Sequence, residues 1–349
     1  MNPLSPSSDA AALLYLILAA GGSGGLASVY FRRWHRRLPA RWMRIAAANL
    51  LLSLALLFAG LLAGEIYCRH FADVTDSFGA HRMAQTWLSR YGQLNAQGLR
   101  DDVIQYSLKP AMGRPRMIFI GDSFTAGSGV RNIRHRYVNL YRARHPEQDI
   151  QLFARNGWDT GHQTEKLRHL VEGGFEFRTA VLMYNLNDIS DINPAWQRMM
   201  ERIRRTFHPT GYFQHSFLLN WFYFRMKMLT DMEVRNYGRE VAAAYAGPVW
   251  EEQKERLRAL RQTVEDAGGR LVVATQPFFN YAAESYPFRA IHKQLAEFWD
   301  GEGVPHLDLL TLLDGHAPRD LIASRFDAHP NETAHRLIAE RLDVFLSAP

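Results

Sequence analysis

The 349-residue sequence predicts an α/β protein: a three-layer α/β/α sandwich with a parallel sheet of about five strands, preceded by two transmembrane helices. Three observations lead there. Past residue 70, short apolar runs alternate with amphipathic stretches, the pattern of a parallel sheet covered by helices on both faces. Before residue 70 lie two uncharged runs, each long enough for a bilayer. The composition, 47% hydrophobic and 22% charged, excludes a disordered, collagen-like or coiled-coil chain.

The first uncharged run extends from Ala11 to Phe31, and 21 residues at about 1.5 Å each cover roughly the 30 Å of a bilayer core. The second extends from Ile45 to Gly64. Between them, residues 32–44 carry Arg32, Arg33, Arg36, Arg37, Arg41 and Arg44, whereas the outer flanks carry Asp9 and Glu65. The positive-inside rule therefore places the loop in the cytoplasm and both flanks outside. Gly21, Gly22, Gly24 and Gly25 lower the helix propensity of the first run, but glycine is tolerated in spanning helices that pack together. The segment AGEIYC at the end of the second run lacks a small-x-small cleavage pattern. Residues 1–70 are thus expected to be a retained anchor in the cytoplasmic membrane, and residues 71–349 an extracytoplasmic domain.

The net charge of +6 does not point to nucleic acid. Residues 1–70 hold seven Arg and two acids; the remaining 34 basic and 33 acidic residues leave no electrostatic footprint for a polyanion. A single cysteine, Cys68, excludes a disulfide scaffold and multi-cysteine metal sites.

In the exported part, the expected strands are Met117 to Ile120, Ile150 to Phe153, Ala180 to Tyr184, Leu271 to Thr275 and Pro305 to Leu309. Helical stretches separate them: Tyr137 to Arg144, Gln163 to Val171, Trp250 to Ala267 with Gly268 and Gly269 as stop signal, and Ala290 to Trp299. Asn331 is a suitable N-cap for a last helix, in which Leu337, Ile338, Val344 and Phe345 recur at helical spacing. Residues 189–249 interrupt the alternation. Their aromatic and Met side chains read as a helical insertion near the active face.

In open α/β sheets ligands bind beyond the carboxyl ends of the strands. After the first strand comes Gly121-Asp122-Ser123-Phe124-Thr125, a serine hydroxyl at a strand-to-helix turn. After the second comes Asn156-Gly157-Trp158-Asp159-Thr160-Gly161, and the third ends in Asn185-Leu186-Asn187-Asp188. Asp327-Ala328-His329-Pro330-Asn331 precedes the last helix. Asp122 and Asp188 read as structural hydrogen-bonding residues and His162 as a surface histidine. The glycine-rich segment 121–129 lacks both a Gly-Lys-Ser/Thr ending and a G-x-G-x-x-G spacing, so neither a phosphate cradle nor a dinucleotide cofactor is expected.

With these four blocks in this order, the sequence resembles the SGNH (GDSL) hydrolase superfamily of serine esterases, lipases and carbohydrate acyl-esterases or acyltransferases, over about residues 95–346. The resemblance implies Ser123 as nucleophile, His329 as general base and Asp327 as its orienting acid. It also implies an oxyanion hole built from the Ser123 and Gly161 N–H groups and the Asn187 amide, with Gly157 as the alternative close-approach glycine. Two departures stand out. Many members have Gly where this chain has Asn185, and the acid often lies three residues before the His rather than two.

The chemistry is coherent without the family. A serine hydroxyl needs a nearby base, and a neutral imidazole accepts its proton at physiological pH. Side chains at i and i+2 of an extended segment project to one side, so the Asp327 carboxylate can meet the His329 ring. The expected activity is that of a membrane-anchored serine esterase or O-acyltransferase. It would remove or transfer a small acyl group, acetyl, on an envelope glycan or lipid, without metal or cofactor. Transfer would require a multi-span partner to deliver the acyl donor. The alternative is a catalytically silent glycan-binding or scaffold subunit of an envelope polysaccharide assembly.

Overall fold

The structure, a computed structural model, describes residues 6–34, 37 and 40–347. Arg36 of the basic loop lies outside the described residues. In chain order, α1 (Pro6–Val29) leads through a π-helical turn (Tyr30–Trp34) to α2 (Arg41–His70) and α3 (Arg82–Tyr91). There follow β1 (Arg116–Gly121), α4 (Ser123–Ala126), α5 (Tyr137–Arg144), β2 (Asp149–Ala154), α6 (Thr160–Glu172) and β3 (Thr179–Asn185). The interruption in the alternation is helical: α7 (Pro194–Thr206), α8 (Tyr212–His215), α9 (Phe217–Thr230), α10 (Met232–Arg235) and α11 (Tyr237–Ala244). The chain closes with α12 (Gly247–Asp266), β4 (Arg270–Gln276), α13 (Arg289–Gly301), β5 (His306–Asp308), β6 (Ile322–Ser324), β7 (Asp327–Pro330) and α14 (Glu332–Leu346).

The chain divides into two compact units. One comprises Met1–Val74, Gly79–Thr86 and Ile203–Asp231. Its helices α1 and α2 pack as a pair, and the Tyr30 hydroxyl donates to the Arg44 carbonyl at 2.9 Å. Leu13–Arg33 and Arg41–His70 are long and apolar enough to cross a membrane. Many of their leucines, including Leu14, Leu18, Leu50 and Leu56, have more than half of their surface exposed. The aromatic stretch is shared between the units: Ile203–Asp231 groups with the apolar helices, whereas the rest of 189–249 groups with the sheet.

The other unit comprises Thr75–Phe78, Trp87–Arg202 and Met232–Pro349. Its sheet is parallel throughout, in the order β2-β1-β3-β4-β5. The five expected strands are present, each within one residue of its expected ends. β1 is buried along its whole length because helices cover both faces, which is why these strands read as unbroken apolar runs. α5 packs with α14 and α6 with α12, the pairing expected when right-handed crossovers from β1 to β2 and from β2 to β3 leave helices on opposite faces.

Helix α6 starts three residues ahead of its expected start because the Asp159 side chain caps it, accepting from the His162 N–H at 3.0 Å. Asn331 caps α14 as expected, its Oδ1 accepting from the Thr333 and Ala334 N–H groups. The antiparallel pair β6-β7 was not anticipated: strands of three and four residues are too short to show a period. The strand order reverses between β1 and β3, which opens a crevice at their carboxyl ends.

Candidate active site

β1 ends at Gly121, and the chain turns into α4 with Asp122 as N-cap, its carboxylate accepting from the Phe124 N–H at 2.9 Å. This turn puts Ser123 first in the helix at the carboxyl end of the sheet. Gly121 must be glycine because a Cβ there would run into the Thr125 side chain. Asp122 is 1% exposed, and burial pushes its carboxyl up to about 6.

β7 brings Asp327 and His329 to the same place. The Ser123 hydroxyl lies 2.8 Å from His329 Nε2, and His329 Nδ1 lies 2.5 Å from Asp327 Oδ1. The three side chains, 206 residues apart at the extremes, thus form one continuous hydrogen-bonded relay. Spacing of two suffices because β7 is extended. The His329 ring packs edge-on against Phe124 at 5.3 Å. Gly129, at φ +86°, lets the hairpin approach: a Cβ there would sit 2.6 Å from that of Ala323.

Burial by itself would depress the imidazole, but the Asp327 anion and its hydrogen bond outweigh it and hold His329 above the ordinary histidine value. Burial would likewise raise Asp327, but His329 and the Thr75 hydroxyl outweigh it and keep the carboxyl below its ordinary value. A hydroxyl bonded to an imidazole whose far nitrogen meets a carboxylate is an arrangement able to activate an alcohol as a nucleophile.

Residues 75–77 have no counterpart in the sequence reading. The Thr75 hydroxyl donates to Asp327 Oδ2, the oxygen that His329 leaves open, and the Ser77 hydroxyl accepts from the Ala328 N–H at 3.0 Å. No motif marks this segment, which lies 252 residues from its partner, so no local signal in the sequence finds it.

The donors expected for an oxyanion have different surroundings. Asn187 lies in the loop after β3, half-buried, with its Oδ1 unpartnered. Asp188, fully buried, organises that loop: its Oδ2 accepts from the Asn185 N–H and Gln163 Nε2, both at 3.1 Å, and its carbonyl accepts from the Thr160 N–H. The β3 loop and the start of α6 are thereby tied together. Gly161 is the second residue of α6, and the atoms nearest a Cβ there belong to Arg256, Asp191 and Asp159 rather than to Ser123 or His329. The close approach of the Arg256–Asp191 ion pair at 2.5 Å is what requires glycine at 161. Gly157, at φ +77°, has nothing within 4 Å of where a Cβ would be. His162 is exposed and pairs with Asp159 at 2.8 Å. Among the described residues no group of His, Cys, Asp and Glu is arranged to hold a metal ion.

A family model described as GDSL-like lipase/acylhydrolase matches residues 119–337. No curated protein sequence matches the chain. Among solved structures, it is similar to a lipolytic protein of the G-D-S-L family from Veillonella parvula, at 14% identity over 67% of this chain and 99% of that chain, with a TM-score of 0.43. The phospholipase A1 of Streptomyces albidoflavus is 13% identical over 66% of this chain and 99% of that chain, TM-score 0.45. The extracellular lipase of Streptomyces rimosus is 14% identical over 66% of this chain and 100% of that chain, TM-score 0.43.

Proposed function

Because the chain belongs to the GDSL-like lipase/acylhydrolase family, a family of ester hydrolases, we propose that it is a membrane-anchored serine esterase or O-acyltransferase acting on acetyl esters of an envelope glycan or lipid. The observation that carries the chemistry is the relay at 2.8 and 2.5 Å. Ser123 Oγ attacks the ester carbonyl carbon while His329 Nε2 takes its proton; the tetrahedral intermediate then collapses, and His329 returns the proton to the departing alcohol. The intermediate's anionic oxygen is met by the Ser123 and Gly161 N–H groups and the Asn187 amide, each such donor being worth about 3 kcal/mol. Water resolves the acyl-enzyme in hydrolysis, and a sugar hydroxyl does so in transfer. Asp327 holds the imidazole in place, and Thr75 holds Asp327.

The substrate class rests on location. Helices α1 and α2 are read as spans with the basic loop in the cytoplasm, so the relay works outside the membrane, where acylated glycans and lipids are found. A transferase of this design draws its acyl group from a multi-span partner.

The full-length protein, incubated with acetylated glycan with and without an acceptor sugar, is expected to release acetate or to pass it to the acceptor. A fluorophosphonate probe is expected to label Ser123, and Ser123→Ala to abolish the labelling. A folded protein that neither labels nor turns over would instead be a glycan-binding or scaffold subunit.

The pH profile tests the base. His329 must be neutral to accept a proton, so kcat/KM falls as pH drops through its pKa. That pKa lies above the ordinary value of about 6.5. Asp327→Asn removes the anion that raises it, so the acid limb is expected to move to lower pH while the plateau rate falls. Initial rates on p-nitrophenyl acetate across pH measure both. An unshifted limb in Asp327→Asn would take Asp327 out of contact with the base.

A further inference from the structure

Helix α9 is apolar on two opposite faces. Phe217 and Phe224 are buried on one: Phe217 clusters with Cys68 and Met83, and Phe224 lies edge-on to His81 at 5.3 Å and to Phe207 at 5.9 Å. On the other, Phe222, Met226 and Leu229 follow one another at helical spacing and are 49%, 58% and 68% exposed. An apolar face of a helix is covered either by protein or by lipid. Here the described protein covers one side only.

The start of α9 is tied to the outer end of the anchor. Glu65, the first residue beyond the second apolar run, is fully buried and accepts from the Ser216 hydroxyl at 2.7 Å and from the Phe217 and Leu218 N–H groups at 3.0 Å. Arg69 donates to the same carboxylate at 2.7 Å. Gly64 leaves room for Leu218, whose Cδ2 would lie 2.9 Å from a Cβ at that position. Tyr212 of α8 stands edge-on to Tyr15 of α1 at 6.5 Å. Tyr15 and Gly64 lie at the flank ends of the two apolar runs, so both contacts set α8 and the start of α9 at one membrane boundary. At 14 residues, α9 is about 21 Å long, too short to cross a hydrocarbon core of roughly 30 Å. Segment 203–231 supplies Arg204, Arg205 and Lys227 against one acid, Asp231, a balance that favours anionic headgroups, while the partly buried Arg225 guanidinium packs over Trp221 and Phe224. Tyr212, Trp221 and Tyr223 supply the amphipathic rings typical of the interface.

We propose that α9 is an interfacial membrane helix, with its Phe222–Met226–Leu229 face seated in the outer-leaflet lipid beside α1 and α2. This rests on the reading of α1 and α2 as spans, and the test separates the two.

In a Cys68→Ala background, single cysteines are placed at Phe222, Met226 and Leu229, at Leu50 and Leu56 of α2, and at exposed Met112 of the sheet unit. Each full-length variant is spin-labelled and reconstituted in phosphatidylcholine vesicles with and without phosphatidylglycerol. Collision with oxygen, which concentrates in lipid, is compared with collision with a water-soluble nickel chelate. The α9 labels are expected to show an oxygen-to-nickel ratio several-fold above that at Met112, in company with Leu50 and Leu56. Labels on α9 that match Met112 while Leu50 and Leu56 remain in lipid would overturn the interfacial helix and leave the spans intact. Aqueous labels at Leu50 and Leu56 would overturn the spans and the inference together. Labels on α9 reached by neither reagent would mean that a protein, a second copy included, covers the face, and would also overturn it.

Discussion

Replacing His329 by alanine is expected to lower turnover of p-nitrophenyl acetate by roughly four to six orders of magnitude, as loss of a member of such a relay does elsewhere. That corresponds to about 5 to 8 kcal/mol of transition-state stabilisation. The size follows from the geometry: with the ring gone, the Ser123 hydroxyl loses its 2.8 Å partner and keeps its proton at neutral pH. Fold should survive, because the His329 side chain takes no part in the main sheet and lies on the β7 hairpin. Thr75→Val removes only the hydrogen bond to the second Asp327 oxygen, and about a tenfold loss in kcat is expected, with Thr75→Ser restoring the rate. Steady-state rates of the purified full-length variants give both numbers. A His329→Ala enzyme within an order of magnitude of the parent would leave the proposed mechanism without its base.

Replacing Asp101 by alanine is expected to destabilise the sheet-bearing unit by about 3 to 5 kcal/mol, although Asp101 takes no part in the relay. Its side chain is fully buried and accepts from Arg136 at 2.9 Å, from Arg142 at 2.8 and 3.0 Å, and from the Tyr106 hydroxyl. Arg136 is also fully buried, and its Nη1 donates to the Arg100 and Ala126 carbonyls. Arg100 in turn binds the Gly127 and Val130 carbonyls. The cluster clamps the segment that follows Ser123, and without the carboxylate a guanidinium charge stays buried and uncompensated. A loss of this size lowers the thermal midpoint by roughly 10 °C, which near-ultraviolet circular dichroism would follow. An unchanged midpoint would show that the buried anion is dispensable. Burial alone would raise the Asp101 carboxyl, but Arg142 and Arg136 outweigh it and hold it at about 2. The sign follows: a carboxyl depressed in the folded state contributes stability above its unfolded value near 3.8, and that contribution is lost as pH falls through the folded value.

Much of the sheet unit was legible in the chain. Strands buried on both faces are continuous apolar runs, which is how β1 to β5 were located to within a residue. Helix punctuation was also readable: Gly268 follows the end of α12 at φ +73°, and Asn331 caps α14. The positions of Ser123 and Asn187 followed from one rule, that groups at the carboxyl ends of parallel strands face a common crevice, whereas Asp327 and His329, which lie on the antiparallel β6-β7 pair, were marked by their place before the last helix and by the family resemblance. Thr75, Arg136 and Glu65 were not readable as parts of anything. Thr75 follows the anchor without a motif, Arg136 looks like any basic residue before a helix, and Glu65 looks like a flank charge, yet each is paired with atoms remote in the sequence. The aromatic insertion looked like one element because its composition is uniform. Part of it groups with the apolar helices through contacts such as that of Glu65 with the start of α9, between residues 151 to 153 positions apart.

The amino-acid sequence by itself determined what depends on near neighbours: the apolar periods, the caps, the two long uncharged runs and the residue types at the strand ends. Tertiary structure alone decided which of those residues meet. It set Asp327 between His329 and Thr75, gave Gly161 an ion pair for a neighbour, and bound the α9 start to the end of α2. The physical reason is that periodicity and capping act over a few residues. Hydrogen bonds across hundreds of residues exist only once burial has brought their segments together and removed the water that would otherwise satisfy them.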